Sequence, residues 1–507
     1  MKRRSVVIGL TAAAAAMPAV GFASSARAAS GAATGTAADA DASLVFDPAA
    51  YTEQTTEITD TTGTAHEVVY RFYKAITYVA KPVDATYQCL NVSVPVKIDG
   101  TAVDASAAPI FLPNAVGGYM PSSVANNTGI GGAAFGGGTS RGQLALAAGY
   151  VVVEPGARGR SLVNASGEYY GTAPAAIVDL KAAVRYVRFN KGRIPGNVNR
   201  IVSSGTSAGG ALSTLLGASG DSPLYDSYLE AIGAADASDA IFAVGAWCPI
   251  TDLEHADMAY EWCYGSNKLP SGSLVDQTIS KELSTAYGDY VATLGLRAKG
   301  FGSLTTRNLD EYLVKTILEP SATTYLAALS DADRATYLAA NTSIKWADGK
   351  ASFTWDEFLT HLGARSKNTP AFDAFDLSTP ENNLYGTGTT AARHFTLFSL
   401  RHESGSSARL DEDLPGKLNL MNPMYHLVEN VNRHRAKHWW IRNGATDTAT
   451  SYSVTGNLHA RLKQLGDEVS TKYYWDAGHG ADQDPGEFLK WIGEVSGYSK
   501  SRGAGTS

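Results

Sequence analysis

The sequence predicts an α/β fold with a mostly parallel sheet, helices on both faces and a helical insertion. Two blocks predict the sheet, because strand-like apolar runs alternate with helical periods at 150–247 and again at 438–496. The segment 264–366 between them predicts the insertion, because its apolar residues recur with helical spacing, as in L-D-E-Y-L-V-K-T-I-L and D-E-F-L-T-H-L. An insertion of this kind usually covers a binding site as a lid.

The predicted elements follow from local patterns. The first two strands alternate apolar and polar residues, as half-buried strands do, whereas the later strands are compact apolar runs typical of buried parallel strands. The helices combine helical spacing of apolar residues with strong helix formers. The predicted strands are 66–73, 87–96, 108–113, 150–154, 200–204, 241–247, 438–444 and 469–475, and the predicted helices include 173–189, 208–216, 452–465 and 486–496.

The N-terminal residues predict export of the protein. Basic residues at 2–4, an apolar run at 6–20 and the A-R-A cleavage signal at 26–28 indicate a signal peptide over 1–28, and hence a secreted protein. The pair Arg3-Arg4 is compatible with the twin-arginine route, and a Sec signal remains the alternative. The expected organisation is then a disordered lead at 29–44, a core at 45–263 and 367–498, and a helical lid at 264–366.

Charge and cysteine content exclude several classes. The net charge of -7 argues against nucleic acid or an anionic membrane as the main partner. Three cysteines exclude a disulfide scaffold in a chain of 507 residues. At most one bridge can form, with Cys248–Cys263 as one possibility, and the absence of C-x-x-C spacing argues against a zinc site.

The stretch G-T-S-A-G at 205–209 predicts a nucleophile elbow, and with it an α/β-hydrolase core. The context supports it, because R-I-V-S-S precedes the motif as a strand and A-L-S-T-L-L follows it as a helix. Ser207 is the predicted nucleophile. In such hydrolases the acid and then the histidine follow the nucleophile along the chain.

Asp447 and His479 are the predicted partners, because each follows a predicted strand of the parallel sheet, at the edge where ligands bind. His479 would accept the proton of Ser207, and Asp447 would orient the imidazole. Asp476 is the main rival for the acid. The rival histidines are His426, His434, His438 and His459.

The oxyanion site requires two backbone N–H groups aimed at the developing negative charge. Ala208, directly after the nucleophile, supplies the first. The loop L-P-N-A-V-G-G-Y-M-P after the third core strand supplies the second, with Gly117 or Gly118 as the candidate. A turn without catalytic function is the alternative interpretation of this glycine pair.

Several longer stretches resemble the bacterial tannase and feruloyl-esterase-like branch of the α/β-hydrolases. They are F-L-P-N-A-V-G-G-Y-M-P, E-P-G-A-R-G-R, G-T-S-A-G-G, C-P-I-T-D-L-E-H-A-D-M-A-Y-E-W and T-P-A-F-D followed by E-N-N-L-Y-G, and they span most of 60–495. The resemblance implies an ester hydrolase in which a Lys and a Glu, here Lys367 and Glu381, hold phenolic hydroxyls. It also implies an Asp two residues after the triad acid. This chain departs from that pattern, because the position holds Ala449.

The sequence therefore predicts a secreted serine esterase that cleaves galloyl or hydroxycinnamoyl esters through an acyl-enzyme. The expected partner is a small phenolic ester, with no nucleic acid and, after signal cleavage, no membrane. No metal or organic cofactor is implied. The alternatives are a feruloyl or general carboxylesterase without gallate preference, a serine peptidase, and a non-catalytic hydrolase-fold module that binds aromatic ligands. Arg158 and Arg160 are interpreted as structural rather than as substrate contacts.

Overall fold

The computed structural model describes residues 42–131 and 138–498. The predicted signal peptide at 1–28 and most of the predicted lead at 29–44 lie outside these ranges. The last residue of that lead, Leu44, is buried, and its carbonyl accepts a hydrogen bond from Asn190. Leu44 is therefore packed against the core and does not belong to a disordered lead.

A ten-stranded mixed sheet forms the centre of the molecule, in the order β1-β2-β3-β6-β5-β7-β8-β13-β14, with β4 paired to β3. The block from β6 to β14 is parallel, whereas β1, β2 and β3 pair antiparallel and β3 runs antiparallel to β6. The prediction of a mostly parallel sheet is confirmed. The strands are β1 Thr52–Thr59, β2 Ala65–Thr77, β3 Cys89–Ile98, β4 Thr101–Ala102, β5 Pro109–Pro113, β6 Val151–Pro155, β7 Asn197–Thr206, β8 Ala243–Trp247, β13 His438–Gly444 and β14 Glu468–Tyr474.

Helices flank this sheet and fill the segments between its strands. The described ranges also contain two π-helical turns, Val314–Leu318 and Tyr425–Glu429, and the 3-10 turn Pro223–Tyr225. The helices are α1 Arg141–Ala147, α2 Ala175–Phe189, α3 Ala208–Ala218, α4 Asp226–Ala231, α5 Leu253–Tyr264, α6 Gln277–Thr293, α7 Leu309–Leu313, α8 Glu319–Ala328, α9 Asp331–Ala340, α10 Trp355–Leu362, α11 Pro380–Leu384, α12 Leu397–Ser404, α13 Leu414–Met421, α14 Tyr452–Gln464 and α15 Pro485–Ser496.

Two glycines allow helices to pack closely against strand β8. A Cβ at Gly217 of α3 would lie 2.3 Å from a methyl group of Val244, and a Cβ at Gly245 would lie 2.5 Å from the ring of Phe488 in α15. Neither position accepts a larger residue without displacing a neighbour. The contact at Gly217 fixes the last turn of α3 against the start of β8.

The segment 264–366 contains five helices, α6 to α10, and two short hairpins, β9 Arg297–Ala298 with β10 Gly302–Ser303 and β11 Lys345–Ala347 with β12 Lys350–Ser352. It packs on α14 of the core, where Asn457 donates a hydrogen bond to the Tyr287 hydroxyl. None of the helices in the described ranges has the length and apolar character needed to span a bilayer. All three cysteines are buried and free, so Cys248 and Cys263 are not bridged.

Candidate active site

Ser207 occupies the turn between β7 and α3. Its φ of 59° and ψ of -121° lie in a region that L-residues rarely adopt. The flanking glycines are required there, because a Cβ at Gly205 would lie 2.3 Å from the backbone of Gly209, and one at Gly209 would lie 2.6 Å from Asn114 Oδ1. The Ser207 N–H donates to the carbonyl of Trp247 at 2.9 Å, which ties the turn to the end of β8. This geometry is that of a nucleophile elbow.

Asp447 and His479 are brought together by adjacent strands. Asp447 lies in the loop after β13 and His479 in the loop after β14, and His479 Nδ1 is 2.8 Å from Asp447 Oδ2. The second carboxylate oxygen of Asp447 accepts the amide of Ala449 at 2.8 Å, so the backbone orients the acid. The Asp447 side chain is fully buried, whereas 31% of the His479 side chain is exposed. Nε2 of His479 is therefore the ring nitrogen that Asp447 does not bind.

The environment of His479 favours the imidazolium. Burial by itself lowers the pKa of this group, but the hydrogen bond to Asp447 and the neighbouring Cys248 sulfur outweigh it and raise the pKa to about 10. The positive charge that forms when the ring accepts a proton is thus stabilised by a buried carboxylate.

Cys248 is a residue of this site that the sequence did not predict. Its Sγ lies 3.9 Å from His479 Nε2, and its own N–H donates to the carbonyl of Arg442 at 2.7 Å. Cys248 directly follows Trp247, the residue that binds the Ser207 amide, so the end of β8 meets both Ser207 and the His479 ring. The contact joins positions far apart in the chain, and no local motif signals it.

The loop after β5 is held against the elbow by Asn114. Its side-chain amide donates to the carbonyls of Ser204 and Gly209 at 3.2 and 3.0 Å, and to the Ser213 hydroxyl at 2.9 Å. Gly117 and Gly118 follow in the same loop. In the described part of the chain, neither of their amides donates a hydrogen bond to another group. The loop therefore presents free backbone donors close to the start of α3, where Ala208 is the first residue.

Lys367 and Glu381 line one cavity of about 610 Å³ between the return of the insertion and α11. The Lys367 ammonium lies 3.5 Å from the centre of the Phe372 ring, and burial lowers its pKa, opposed by the charges of Glu381 and Asp447. Burial also raises the pKa of Glu381, whose Oε2 is buried without a hydrogen-bond partner. The Lys367 ammonium, a hydrogen-bond donor, and the Glu381 carboxylate, an acceptor, therefore line the same cavity near Asp447.

The two arginines differ in their contacts. Arg158 is buried and pairs with Asp179 at 2.8 Å, which supports its structural interpretation. Arg160 donates to the carbonyl of Gly118 at 2.8 Å and to Asn383 at 2.7 Å, so it fixes the glycine loop to α11. Its role is to position that loop.

The rival residues are engaged elsewhere. His426 is buried against Tyr225, and burial together with the charge of Lys181 lowers its pKa to about 3. His459 Nδ1 contacts a threonine hydroxyl, and His434 and His438 each lie beside a surface carboxylate. Asp476 contacts the insertion and not His479.

Known proteins share this architecture over most of the chain. The family model described as BD-FAE matches residues 130–287. The tannase of Fusobacterium nucleatum is 37% identical with a TM-score of 0.78, and the match covers 89% of this chain and 99% of that one. The chain belongs to the bacterial tannase and feruloyl-esterase-like family of α/β-hydrolases.

Further tannases are similar to the same extent. A tannin acyl hydrolase solved in complex with ethyl gallate is 36% identical with a TM-score of 0.77, and the match covers 89% of this chain and 99% of that chain. The tannase from Lactobacillus plantarum is 34% identical with a TM-score of 0.77, over 89% of this chain and 100% of that chain. No curated protein matches the sequence. The protein is a tannase-like hydrolase, and its expected resemblance to this family is confirmed.

Proposed function

We propose that the protein is a secreted serine esterase that hydrolyses galloyl or hydroxycinnamoyl esters through an acyl-enzyme. One observation supports the proposal. The elbow serine, Ser207, is bound to Trp247 at the end of β8, the next residue, Cys248, contacts Nε2 of His479, and Nδ1 of His479 is paired with the buried Asp447. A serine in a strained turn, a base and an acid that orients the base are the three parts that acyl transfer needs.

Acylation begins when the Ser207 hydroxyl attacks the ester carbonyl and its proton passes to His479 Nε2. Asp447 holds the Nδ1 proton and stabilises the imidazolium that forms. The tetrahedral oxyanion accepts hydrogen bonds from the amide of Ala208 and from Gly117 or Gly118, whose amides have no acceptor in the described structure. The C–O bond then breaks, and His479 returns the proton to the departing alcohol.

Deacylation repeats the same steps with water. His479 removes a proton from a water molecule, which attacks the acyl carbonyl, and the proton then returns to Ser207 as the acid leaves. This step restores the free enzyme, and the proposed cycle uses only these residues and water.

The acyl group is assigned to the cavity beside Lys367 and Glu381. An ammonium donates to phenolic oxygens and a carboxylate accepts from phenolic O–H groups, and Oε2 of Glu381 is buried without a hydrogen-bond partner. Similar structures of tannin acyl hydrolase hold ethyl gallate and 3,4-dihydroxybenzoate, which supports a phenolic acyl group. Ala449 offers no side-chain acceptor, so we expect gallate to be held through fewer contacts than an acid at this position would give.

The test compares hydrolysis of methyl gallate and methyl ferulate by the purified protein, with Ser207→Ala as the inactive variant. We expect Ser207→Ala to lower kcat by about 10⁴-fold or more. Lys367→Met and Glu381→Gln should each lower kcat/KM for methyl gallate about 10- to 100-fold, the value of a hydrogen bond to a charged group. The exposed Lys350→Met is the matched control and should leave kcat/KM unchanged.

The outcomes separate the alternatives. A preference for ferulate would make the protein a feruloyl esterase with an altered acyl cavity. Cleavage of peptide amides in preference to esters would favour a peptidase, and no turnover of any ester with wild-type protein would favour a binding module. Secretion is checked by mass spectrometry of the extracellular protein, which should begin directly after the A-R-A signal at 26–28.

A further inference from the structure

Three groups that can bind a metal ion meet at the proposed catalytic base. The ligating atoms of Cys248, Asp447 and His479 all lie within 4.8 Å of one another. Asp447 is already engaged with Nδ1 of His479, so the two atoms that remain available are Nε2 of His479 and Sγ of Cys248, 3.9 Å apart.

We propose that Cys248 and His479 form a binding site for Zn²⁺ or a chemically similar soft divalent ion, and that its occupation reversibly blocks ester hydrolysis. The inhibitory consequence rests on the function proposed above, whereas binding of the ion does not.

The distance between the two atoms fits a zinc ion. With a Zn–S distance of about 2.3 Å and a Zn–N distance of about 2.0 Å, two ligands at a tetrahedral angle lie about 3.5 Å apart. The observed distance of 3.9 Å between Cys248 Sγ and His479 Nε2 would therefore need to shorten by only a few tenths of an ångström for both atoms to bind one zinc ion. Thiolate and imidazole are also the ligands that favour zinc and cadmium over magnesium and calcium.

The surroundings are already arranged for this ligation. Metal-binding histidines usually donate their other ring N–H to a carboxylate, which fixes the tautomer and strengthens the ligand. Asp447 does this for His479, and it is itself oriented by the Ala449 amide. The thiol is equally fixed, because Cys248 is buried and its N–H is bound to the carbonyl of Arg442.

Binding would remove the group on which catalysis depends. The Cys248 thiol and the His479 imidazolium each release a proton to solvent, the sulfur binds the ion, and the lone pair freed on His479 Nε2 forms the second ligand bond. That lone pair can then no longer accept the Ser207 proton. Because part of the His479 side chain is exposed, the ring can be reached from solvent.

The first measurement is a titration of the whole protein with Cd²⁺, followed through the ultraviolet absorption of the cadmium–thiolate bond. We expect one equivalent to bind to the wild type. Cys248→Ser should remove the absorption, and His479→Gln should weaken binding at least tenfold. Cys89→Ser and Cys263→Ser are matched controls, because both thiols are buried away from His479, and they should retain the signal.

The second measurement is inhibition of ester hydrolysis by Zn²⁺, with each variant normalised to its own rate without metal. Cys248→Ser should raise the inhibition constant at least tenfold, and Mg²⁺ should not inhibit any variant. Cys248→Ala, checked for native unfolding temperature, replaces the serine variant if the latter fails to fold.

Retention of the cadmium absorption in folded Cys248→Ser and Cys248→Ala, or its loss in Cys263→Ser, would overturn the site. Equal zinc inhibition of wild type and the Cys248 variants would overturn the blocking role. If the protein hydrolyses no ester but the Cys248-dependent absorption is present, the esterase proposal fails and the metal site stands.

Discussion

At the scale of a single residue, the proposed mechanism makes activity depend on the protonation of His479. The ring accepts a proton only when Nε2 is free, and the pKa of His479 is raised to about 10 by Asp447 and Cys248 despite burial. Since a raised pKa keeps the ring protonated at lower pH, kcat/KM should fall with decreasing pH along a limb that lies above the ordinary histidine value of about 6.5.

Asp447→Asn tests this assignment. The variant removes the carboxylate that stabilises the imidazolium, so the acidic limb should move to lower pH, and kcat should fall by about 10⁴-fold because the tautomer is no longer held. The measurement is kcat/KM against pH with a non-phenolic ester such as phenyl acetate, which keeps substrate ionisation out of the profile. The exposed Asp236→Asn should leave the limb in place. An unmoved limb in Asp447→Asn would assign it to another group.

At the scale of elements, Asp476 joins the insertion to the loop that carries His479. His361, at the end of α10, contacts Asp476 Oδ1 at 2.7 Å, and the Tyr337 hydroxyl of α9 donates to Oδ2 at 2.6 Å. The His361 ring also stacks on Trp475 with a centroid distance of 5.0 Å. These contacts place α9 and α10 beside the loop that carries His479, which supports the expected role of the insertion as a lid.

Asp476→Gly should loosen this connection. Glycine adopts the φ of 58° at this position without strain, so the change removes the carboxylate alone. We expect amide hydrogen exchange in α9 and α10 to become at least tenfold faster, since two hydrogen bonds to a charged group are lost. Asp348→Gly is the control, because it removes an exposed carboxylate of the insertion at another position with positive φ, 52°. Unchanged exchange in Asp476→Gly would show that α9 and α10 are held by other contacts.

The elements also show what local sequence can predict. The parallel strands and their helices were predicted because buried apolar runs and helical periods are local signals. Strand β1, T-E-Q-T-T-E-I-T, was not, because it is a polar strand at the sheet edge and its pairing with β2 supplies its stability. The short hairpins of the insertion were not predicted either, because strands of two or three residues are too short to show an alternation of apolar and polar residues.

The residues of the candidate site also differ in whether local sequence could predict them. Ser207, Asp447 and His479 could be proposed because a motif and two strand ends mark them. Cys248 and Asn114 could not, because their contacts depend on which strands are neighbours in the sheet. The strand order β7-β8-β13-β14 brings Ser207, Cys248, Asp447 and His479 to one edge, and this order is a property of the complete fold.

At the scale of the whole molecule, a buried ion pair joins the two ends of the insertion. Arg365, where the chain returns to the core, pairs with Glu261 of α5, and both side chains are fully buried. Arg365 also donates to the carbonyls of Tyr264 at 3.3 Å and Lys367 at 2.9 Å. One guanidinium therefore holds the segment that enters the insertion, the segment that leaves it, and the backbone of the proposed substrate-binding lysine.

Arg365→Met should destabilise the protein by about 3–5 kcal/mol, because it leaves the Glu261 charge buried without a partner. Adding Glu261→Gln removes that charge, so the double variant should regain part of the loss. Urea denaturation measures both, with Arg334→Met as the control, since its partner Asp331 is 95% exposed and such pairs contribute about 0–1 kcal/mol. If Arg365→Met costs no more than Arg334→Met, the ends of the insertion are held by apolar packing. If the double variant recovers stability but KM for methyl gallate stays high, Arg365 has a separate role in positioning Lys367.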